Sequence, residues 1–426
     1  MSDVLRFLGP VRERDFGLFW TARTMSILGD YVFRIAFITY LIGLTHSPAF
    51  VSAATATLLV PPLLFYLFGG AIADQVSSRR NIMITADLLR FGASAGIVIA
   101  VLLSPDPWLI VVLALVVSIG SGFFAPASFA FITEIVAKQR LVAANSALSI
   151  SQQVGLIAGP LLGATLALAG GPAAAFAVDA LTFLGSGLLL SRIRSSRRRE
   201  PLTAAPRERL IGQLAGGLRY VIRTPWLVLS FAVGAVANAV FTGSLDVAVP
   251  LLLAPEGILG ARGLGLFYAL EGVGALVGAL ILGRLVVVRV SLPLFGMLAA
   301  MAGSLALAGA LGRQPLSYAT AVTYGVGMHF FNSLYHSLIQ ENVPDALMSR
   351  VGSVASLAFD GLMPMGALLM GPLVLGLGVG SALVVSGLAV SAISLAVLCA
   401  PSIRALTLAS QAARGESGEP AVERAV

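Results

Sequence analysis

The sequence predicts an all-α polytopic membrane protein with twelve transmembrane helices in two six-helix bundles. Hydrophobic residues make up 58% of the 426 residues, charged residues make up 11%, and the mean hydropathy is +0.94. A water-soluble chain of this length needs more polar surface than that. Continuous apolar runs favour helices, because the strands of a membrane barrel alternate apolar and polar residues over short segments.

Each predicted span is an apolar run of about 20 residues, the length that crosses roughly 30 Å of hydrocarbon. The first run is full length and follows a charged start, so we expect it to insert as a span without a cleavable signal peptide. The spans cover residues 17–43, 50–73, 81–103, 108–132, 144–169, 172–190, 226–253, 263–287, 292–311, 316–339, 351–375 and 381–400.

The basic residues indicate how the chain lies in the membrane. With the N-terminus in the cytoplasm, the 27 Lys and Arg residues fall in cytoplasmic loops and tails, except Arg23, Arg34, Arg90, Arg262 and Arg313. This asymmetry follows the positive-inside rule and predicts an inner or plasma membrane protein with both termini in the cytoplasm. The net charge of +7 therefore reflects topology, and we expect the lipid bilayer, not nucleic acid, as the partner.

Residues 191–224 divide the chain. They are rich in Arg and contain Pro201 and Pro206, which predicts a cytoplasmic linker between a bundle at 1–190 and a bundle at 225–400. Within the linker, 207–223 is predicted to be a surface helix against headgroups or the underside of the bundle, with partner docking as an alternative. The polar tail at 401–426 is predicted to be disordered, so truncation after about Arg404 should leave activity intact.

The two halves also resemble each other in sequence. Such a pattern is expected of a duplicated six-helix unit, and many secondary transporters are parallel repeats with a substrate site between the halves near the membrane midplane. The residues that recur at constant spacing are Phe123, Phe124 and Glu134, matched by Phe330, Phe331 and Glu341.

Ionisable residues within the spans point to mechanism, because a charge near the bilayer centre is costly and usually faces a cavity or a partner. Asp30 lies near the middle of the first span, with Arg34 one turn later and Arg23 two turns earlier on the same face. If Arg34 pairs with Asp30, arrival of substrate or a proton can break the pair, as proton coupling requires. The alternative is a permanent ion pair that only fixes helix packing.

The second half supplies further candidates for the proton path or the substrate cavity, namely Glu271, His329, Asn332, His336 and Asp360. The three in the tenth span recur at helical spacing and form one polar face, where a histidine can relay protons near neutral pH or simply hydrogen-bond.

Other polar groups near these spans have plainer explanations. For Glu271, a salt bridge to Arg262 or a wet vestibule is an alternative. Asp179 and Asp246 lie nearer the outer ends of their spans, where we expect them to be solvated. No acid lies at metal-ligand spacing beside the histidines, so no metal and no cofactor are predicted.

Several short motifs identify the chain as resembling the major facilitator superfamily, in the branch of enterobactin-exporter-like and macrolide-efflux-like proteins. They cover the N-terminal half well and the C-terminal half mainly through architecture. The motifs are Leu28-Gly29-Asp30, Gly70 to Arg80, Ala86-Asp87-Leu88-Leu89-Arg90, Phe124-Ala125-Pro126-Ala127, Ala144-Asn145-Ser146 and the glycine series from Gly155 to Gly163.

The resemblance implies a cytoplasmic gate in the loop after the second span. In that reading Gly70 allows close helix approach, and Asp74 faces the N-terminus of the eleventh helix. Three basic residues complete the gate, namely Arg79, Arg80 and Arg90. Gln75, Ser77 and Ser78 depart from the superfamily pattern, and retention of positive charge at a cytoplasmic turn is the alternative.

The resemblance also implies export through a fifth-helix signature, found among proton-coupled antiporters, at Gly155, Gly159, Pro160 and Gly163. Ala147 and Ala164 stand where that signature prefers glycine, so close helix packing alone is the alternative. Aromatic residues of the second and fourth spans could line a pocket for a bulky substrate. The alternative is that they face lipid or pack in the core. These residues are Phe65, Tyr66, Phe68, Phe123, Phe124 and Phe129.

Together these features predict a secondary active transporter, not an enzyme, since no phosphate-binding loop or catalytic triad is present. We expect a monomer that exports an amphipathic small molecule, such as a drug, macrolide or siderophore-like compound, in exchange for protons by alternating access. Two alternatives stay open: an importer of a small metabolite in the same fold, and a non-transporting membrane sensor or lipid scramblase.

Overall fold

The computed structural model describes residues 10–73, 78–103, 105–137, 140–194, 210–255 and 257–408. These residues are almost entirely helical, and the β pairing among them is an isolated bridge between Arg289 and Thr407. The all-α prediction is confirmed.

The first half contains four helices and a long segment that a glycine interrupts. We name the helices α1 (Arg14–Thr45), α2 (Pro48–Ala73), α3 (Arg79–Leu103) and α4 (Pro107–Ile135). The long segment, Leu141–Ser191, breaks at Gly171, where φ is 74° and ψ is 173°, and we call its parts before and after that residue α5 and α6.

The second half begins with a short helix, α7 (Leu210–Arg223), at the predicted surface helix of the linker. The next helix, α8 (Pro225–Leu253), contains one π-helical turn at Ser244–Ala248. The helices that follow are α9 (Ala261–Leu282), α10 (Ser291–Leu311), α11 (Ser317–Asn342), α12 (Asp345–Gly361 continued by Met363–Leu377) and α13 (Val379–Ala396).

Nine helices in the described part of the chain are long and apolar enough to cross a membrane. One of the nine is the segment that Gly171 divides into α5 and α6. The described part of α2 qualifies only as a shorter apolar helix, and α11, with its polar face, is not among the nine. The helical pattern is consistent with the predicted twelve spans.

Local sequence explains where individual helices begin and end. Asp106 caps α4, because its side chain accepts a hydrogen bond from the backbone N–H of Trp108 at 2.9 Å, and Pro107 occupies the first helical position. Gly171 and Gly378 provide the positive φ values that reverse the chain before α6 and α13. These two turns are spaced like Phe123 and Phe330, in agreement with a duplicated unit.

The chain forms two compact units. The first contains the described residues of Met1–Ala204 and Leu253–Ala269, and the second those of Ala205–Leu252 and Leu270–Val426. The apolar core of the first unit includes Phe16, Phe19, Met83, Phe131 and Leu190. These residues come from α1, α3, α4 and α6, so the same core positions the polar side chains of these helices.

Ordered structure continues past residue 400, where the tail was predicted to be disordered. Pro401–Arg404 is a short helix, and the hydroxyl of Ser291 donates to the carbonyl of Ile403 at 2.5 Å. The backbone N–H of Leu408 donates to the carbonyl of Val288 at 3.0 Å. Residues 195–209 of the linker and 409–426 of the tail lie outside the described residues.

Candidate functional site

A buried ion pair lies at the centre of the polar site in the first unit. Asp87 is 0% exposed and Arg90, one turn later on α3, is 1% exposed. The Nη2 group of Arg90 donates to Oδ1 of Asp87, and the hydroxyl of Ser186 on α6 donates to Oδ2 at 2.6 Å. Both carboxylate oxygens therefore have donors, as a buried charge requires.

Two aromatic rings hold the guanidinium of Arg90. Its central carbon lies 4.5 Å from the centre of the Phe124 ring on α4 and 4.2 Å from that of Phe183 on α6. These distances allow cation–π attraction. Gly120 makes room for the arginine, because a Cβ there would lie 2.6 Å from Cγ of Arg90. Arg90 is thus fixed among α3, α4 and α6.

Asp30 on α1 lies at the accessible edge of this cluster. Its Oδ1 is 3.9 Å from Nη1 of Arg90, and its side chain is 42% exposed. The guanidinium carbon of Arg34, the predicted partner of Asp30, lies 5.0 Å from the centre of the Tyr268 ring. Arg23 lies 5.3 Å from the centre of the Phe124 ring, next to the cluster.

Arg90 corrects one prediction. It was assigned to the cytoplasmic gate with Arg79 and Arg80, but it lies about three helical turns further along α3, roughly 15 Å at 1.5 Å per residue. Its partners are the carboxylates Asp30 and Asp87. The reason is that α3 enters the bundle directly after Arg80, so a residue ten positions later is deep inside the unit.

Asp179 on α6 is a second correction, because it was expected to be solvated and is 0% exposed. The hydroxyl of Ser94 on α3 donates to its Oδ2 at 2.8 Å, whereas Oδ1 has no hydrogen-bond partner among the described residues. A Cβ on Gly29 would lie 2.9 Å from that oxygen, so glycine lets α1 pack directly over the acid. Asp246, paired with it in the prediction, is partly buried on α8.

Burial of Asp179 follows from the helices packed over it, α1 at Gly29 and α3 at Ser94. Because α6 begins directly after the turn at Gly171, Asp179 is already two turns inside the helix. The Gly171-Pro172 turn is visible in the sequence, but the neighbouring helices that cover the acid are not.

The described part of the predicted gate joins the ends of three helices. Arg79 Nη1 donates to Oε1 of Glu134 at 2.9 Å and to the carbonyl of Ala130 at 3.3 Å, which links α3 to the end of α4. Arg80 donates through Nη1 to the carbonyl of Ile193 after α6. Gly70 lies within α2, and Asp74 lies outside the described residues.

In the sequence, Glu134 stands out only as a residue of the internal repeat. Its side chain is 15% exposed and that of Arg79 is 12% exposed, so the pair is shielded from most solvent. A second pair, between Glu13 directly before α1 and Arg140 directly before α5, is more exposed.

The glycine strip of α5 packs against α1. A Cβ on Gly155 would lie 2.5 Å from Cγ2 of Ile27, and one on Gly163 would lie 3.0 Å from Cα of Val32. The carbonyl of Pro160 faces residues 253–269, where a Cβ on Gly265 would approach it to 2.8 Å. Close helix packing, the alternative for this signature, therefore describes the contacts of the strip.

The second unit contains a cavity of about 540 Å³ between α8, α10, α11 and α12. Three predicted residues, Asn332, His336 and Asp360, line it. His329 does not line it, and its Nε2 lies 3.2 Å from the hydroxyl of Ser333 on the same helix. Glu271 on α9 is also not among the lining residues and is 5% exposed, which is inconsistent with a wet vestibule.

Aromatic residues line this cavity in the second unit, whereas the aromatic pocket predicted from the sequence lies in the first half. Of that earlier set, Phe124 is buried against Arg90 and Phe129 is 76% exposed. Side chains of the others in the second span, at 65, 66 and 68, lie outside the described part. The aromatic residues around the cavity are Phe241, Tyr324, Phe331, Tyr335 and Phe359.

Comparisons with known proteins agree with this architecture. The family model described as transmembrane secretion effector matches residues 6–426. Enterobactin exporter EntS of Shigella boydii serotype 4 (strain Sb227) is 25% identical over 350 residues, which cover 80% of each chain. Macrolide efflux protein A of Streptococcus pyogenes is 22% identical over 370 residues, covering 83% of this chain and 88% of the relative.

Solved structures share the fold at low sequence identity. A bacterial homologue of the iron transporter ferroportin, in an inward-facing state, aligns with a TM-score of 0.64 and 16% identity over 90% of this chain and 98% of its own. A D-xylose-proton symporter aligns with a TM-score of 0.64 and 14% identity over 89% and 97%.

Proposed function

We propose that this chain, which belongs to the transmembrane secretion effector family of the major facilitator superfamily, exports an amphipathic small molecule in exchange for protons. The family and the named relatives are transporters, so the chain is a membrane transporter and not an enzyme. We also propose that transport is outward and coupled to protons. The protein would act as a monomer in the cell membrane, with both termini in the cytoplasm.

The observation that supports the proposal is that Arg90 interacts more closely with one of its two carboxylates than with the other. Asp87 is hydrogen-bonded to Arg90 and closed to solvent, whereas Asp30 is 3.9 Å from Arg90 and 42% exposed. A proton can reach Asp30 without unfolding the cluster. Its arrival removes the attraction between α1 and Arg90 while the Asp87 pair stays intact, so α1 loses one electrostatic tie to α3.

In this mechanism each residue of the cluster has a separate task. Asp30 takes and releases the proton, Arg90 responds to its charge, and Asp87 with Ser186 anchors Arg90 in both states. The loop pair between Arg79 and Glu134 fastens the ends of α3 and α4, so a shift of α1 is transmitted to a rigid neighbour. The bundles then alternate between inward- and outward-open arrangements, the general mode of this transporter class.

The cargo follows from the relatives and from the cavity of the second unit. The named relatives are exporters of a siderophore and a macrolide by their printed names. The cavity combines aromatic walls with a few polar groups, among them Asn332, His336 and Asp360. Such a lining suits an amphipathic molecule better than a sugar, which needs many hydrogen-bonding side chains.

The test uses energised inside-out membrane vesicles and a panel of fluorescent amphipathic compounds. We expect uptake by the natural protein that disappears with a proton uncoupler and in the Asp30→Asn variant. The matched control is Asp106→Asn, which removes an exposed carboxylate at the start of α4 while keeping a residue that caps helices equally well. Uptake that survives Asp30→Asn would contradict the role given to Asp30.

Two other functions make different predictions in the same assay. An importer of a small metabolite would move its substrate in the opposite direction, and right-side-out vesicles would accumulate it. A sensor or lipid scramblase would accumulate nothing against a gradient and would tolerate both Asp30→Asn and Glu271→Gln.

A further inference from the structure

The residues that line the cavity of the second unit favour a positively charged ligand. We propose that it binds a lipophilic organic cation, with Asp360 as the counter-charge and the aromatic rings of α11 and α12 as the walls. The inference deepens the proposed function, since the bound cation would be the exported molecule. It concerns a binding site, so it can be tested without transport.

The charge balance of the lining favours a cation. Among the described residues that line the cavity, Asp360 is the one carboxylate and none is Lys or Arg. The other titratable groups of the lining are His336, Tyr324 and Tyr335. Asp360 is the source of negative charge among these residues, and a bound anion of the same size would meet repulsion in a region of low dielectric constant.

The aromatic walls can attract a cation through their ring faces. The rings of Phe331 and Tyr335 are stacked, with centres 5.7 Å apart and planes at 7°. Phe359 meets Tyr335 edge to face at 5.1 Å and 89°. Aromatic faces attract organic cations, and the attraction is larger where water is excluded. The volume of about 540 Å³ is in the range of pockets that bury a drug-sized ligand.

An unpaired hydroxyl provides an independent indication of a ligand. Tyr335 lines the cavity and is 6% exposed, yet its hydroxyl has no hydrogen-bond partner among the described residues. Buried hydroxyls are nearly always partnered, because an unmade hydrogen bond is costly. The Tyr335 hydroxyl is therefore free to donate to an acceptor oxygen or nitrogen of the bound molecule. The ligand class is a bulky organic cation that also carries a hydrogen-bond acceptor.

The charge part of this proposal can be tested with two probes of nearly equal shape and opposite charge. Purified protein in detergent is dialysed to equilibrium against tetraphenylphosphonium or tetraphenylborate, and bound probe is measured above a protein-free micelle control. We expect saturable binding of the phosphonium and none of the borate. Equal binding of the two ions, or preference for the borate, would overturn the proposal.

Variants locate the site. Asp360→Asn should weaken phosphonium binding about tenfold or more, the factor expected for loss of one buried charged interaction. Asp360→Glu keeps the charge and should retain most of the binding. Asp106→Asn is the control and should bind normally. Unchanged binding in Asp360→Asn would place the phosphonium elsewhere and overturn the assignment.

A second variant keeps the proposal testable if Asp360→Asn does not fold. Gly352 lines the cavity and a Cβ there meets no atom within 4 Å, so Gly352→Phe should place a ring in the cavity without displacing backbone. Phosphonium binding should be lost in this variant while its size-exclusion profile stays normal. Normal binding would show that the cavity is not the site.

Failure of this inference is distinguishable from failure of the proposed function. Energised export of neutral compounds, with no phosphonium binding, would retain export and reject the cation site. Asp360-dependent phosphonium binding, with no energised transport of any compound, would retain the site and reject export.

The hydroxyl part is tested with Tyr335→Phe and two cations that differ in one acceptor group. The variant should weaken binding of a triphenylphosphonium that carries a methoxy group and leave tetraphenylphosphonium binding unchanged. Equal effects on both cations would contradict the role of the hydroxyl.

Discussion

Asp87 and Arg90 form an ion pair within α3 in which neither side chain reaches solvent. The pair is also satisfied from outside the helix, because Ser186 donates to the carboxylate and two rings cover the guanidinium. Removing one member of such a pair is far more damaging than removing both, since a lone buried charge keeps its desolvation cost without its partner.

This relationship predicts a non-additive pair of variants. Arg90→Gln alone should destabilise the protein by about 3–5 kcal/mol, because it leaves Asp87 without its cation. The double variant Asp87→Asn/Arg90→Gln should denature at a higher temperature than Arg90→Gln alone, measured by size-exclusion chromatography of heated protein in detergent. Strictly additive losses would contradict a coupled pair.

Asp179 predicts a difference between two substitutions at one site. Asp179→Asn keeps an acceptor for the Ser94 hydroxyl and nearly the same volume, so it should change thermal stability little. Asp179→Ala leaves Ser94 without an acceptor, which should cost about 1–3 kcal/mol, plus the loss from the void. The measurement is the same heating series, and equal losses in both variants would argue against the hydrogen bond as the reason.

The glycine strip of α5 predicts sensitivity to a single methyl group. Gly159→Ala should destabilise by about 1–3 kcal/mol, because its Cβ would overlap Cβ of Tyr31 on α1, which cannot swing aside. Gly92→Ala on α3 is the matched control, since a Cβ there meets no atom within 4 Å and alanine favours the helix. Comparable losses in the two variants would refute the packing role of Gly159.

The ion pair between Arg79 and Glu134 predicts that exchanging the two charges restores part of the lost stability. Glu134→Ala should cost about 1.5–3 kcal/mol, the contribution of a hydrogen bond to a charged group that is mostly shielded from water. Arg79→Glu should cost more, because it faces Glu134 with a like charge. The double variant Arg79→Glu/Glu134→Arg should recover part of that loss in thermal stability, and no recovery would indicate that the two residues act separately.

The ordered start of the tail predicts two truncation outcomes. Removal of residues after Leu408 should leave thermal stability unchanged. Removal after Arg404 takes away Leu406 and Leu408, which are 6% and 1% exposed, and their backbone bonds to Val288 and Val290. Burial of a leucine side chain contributes about 1.5–3 kcal/mol, so the shorter protein should denature earlier. Equal denaturation temperatures would restore the sequence-based view of this tail.

The location of the polar residues could be read from the sequence only in part. Asp30 and Asp360 were found because a charge in an apolar span is conspicuous, and His336 and Asn332 because their spacing placed them on one helix face. Asp179 was misjudged because distance from the end of a span says nothing about a neighbouring helix that covers it. Arg90 was misjudged because its partners come from α1 and from its own helix, and the first of these is remote in sequence.

The amino-acid sequence is sufficient to predict the class of fold, since long apolar runs with basic residues between them have one physical solution, helices that satisfy their own backbone in the bilayer. It also marked the glycine turns and the family. Which face of each helix lies inside depends on how the helices pack, because a span that is apolar all round carries no stripe to orient it. For that reason the partners of Arg90, the burial of Asp179 and the aromatic cavity emerged only when the helices were packed together.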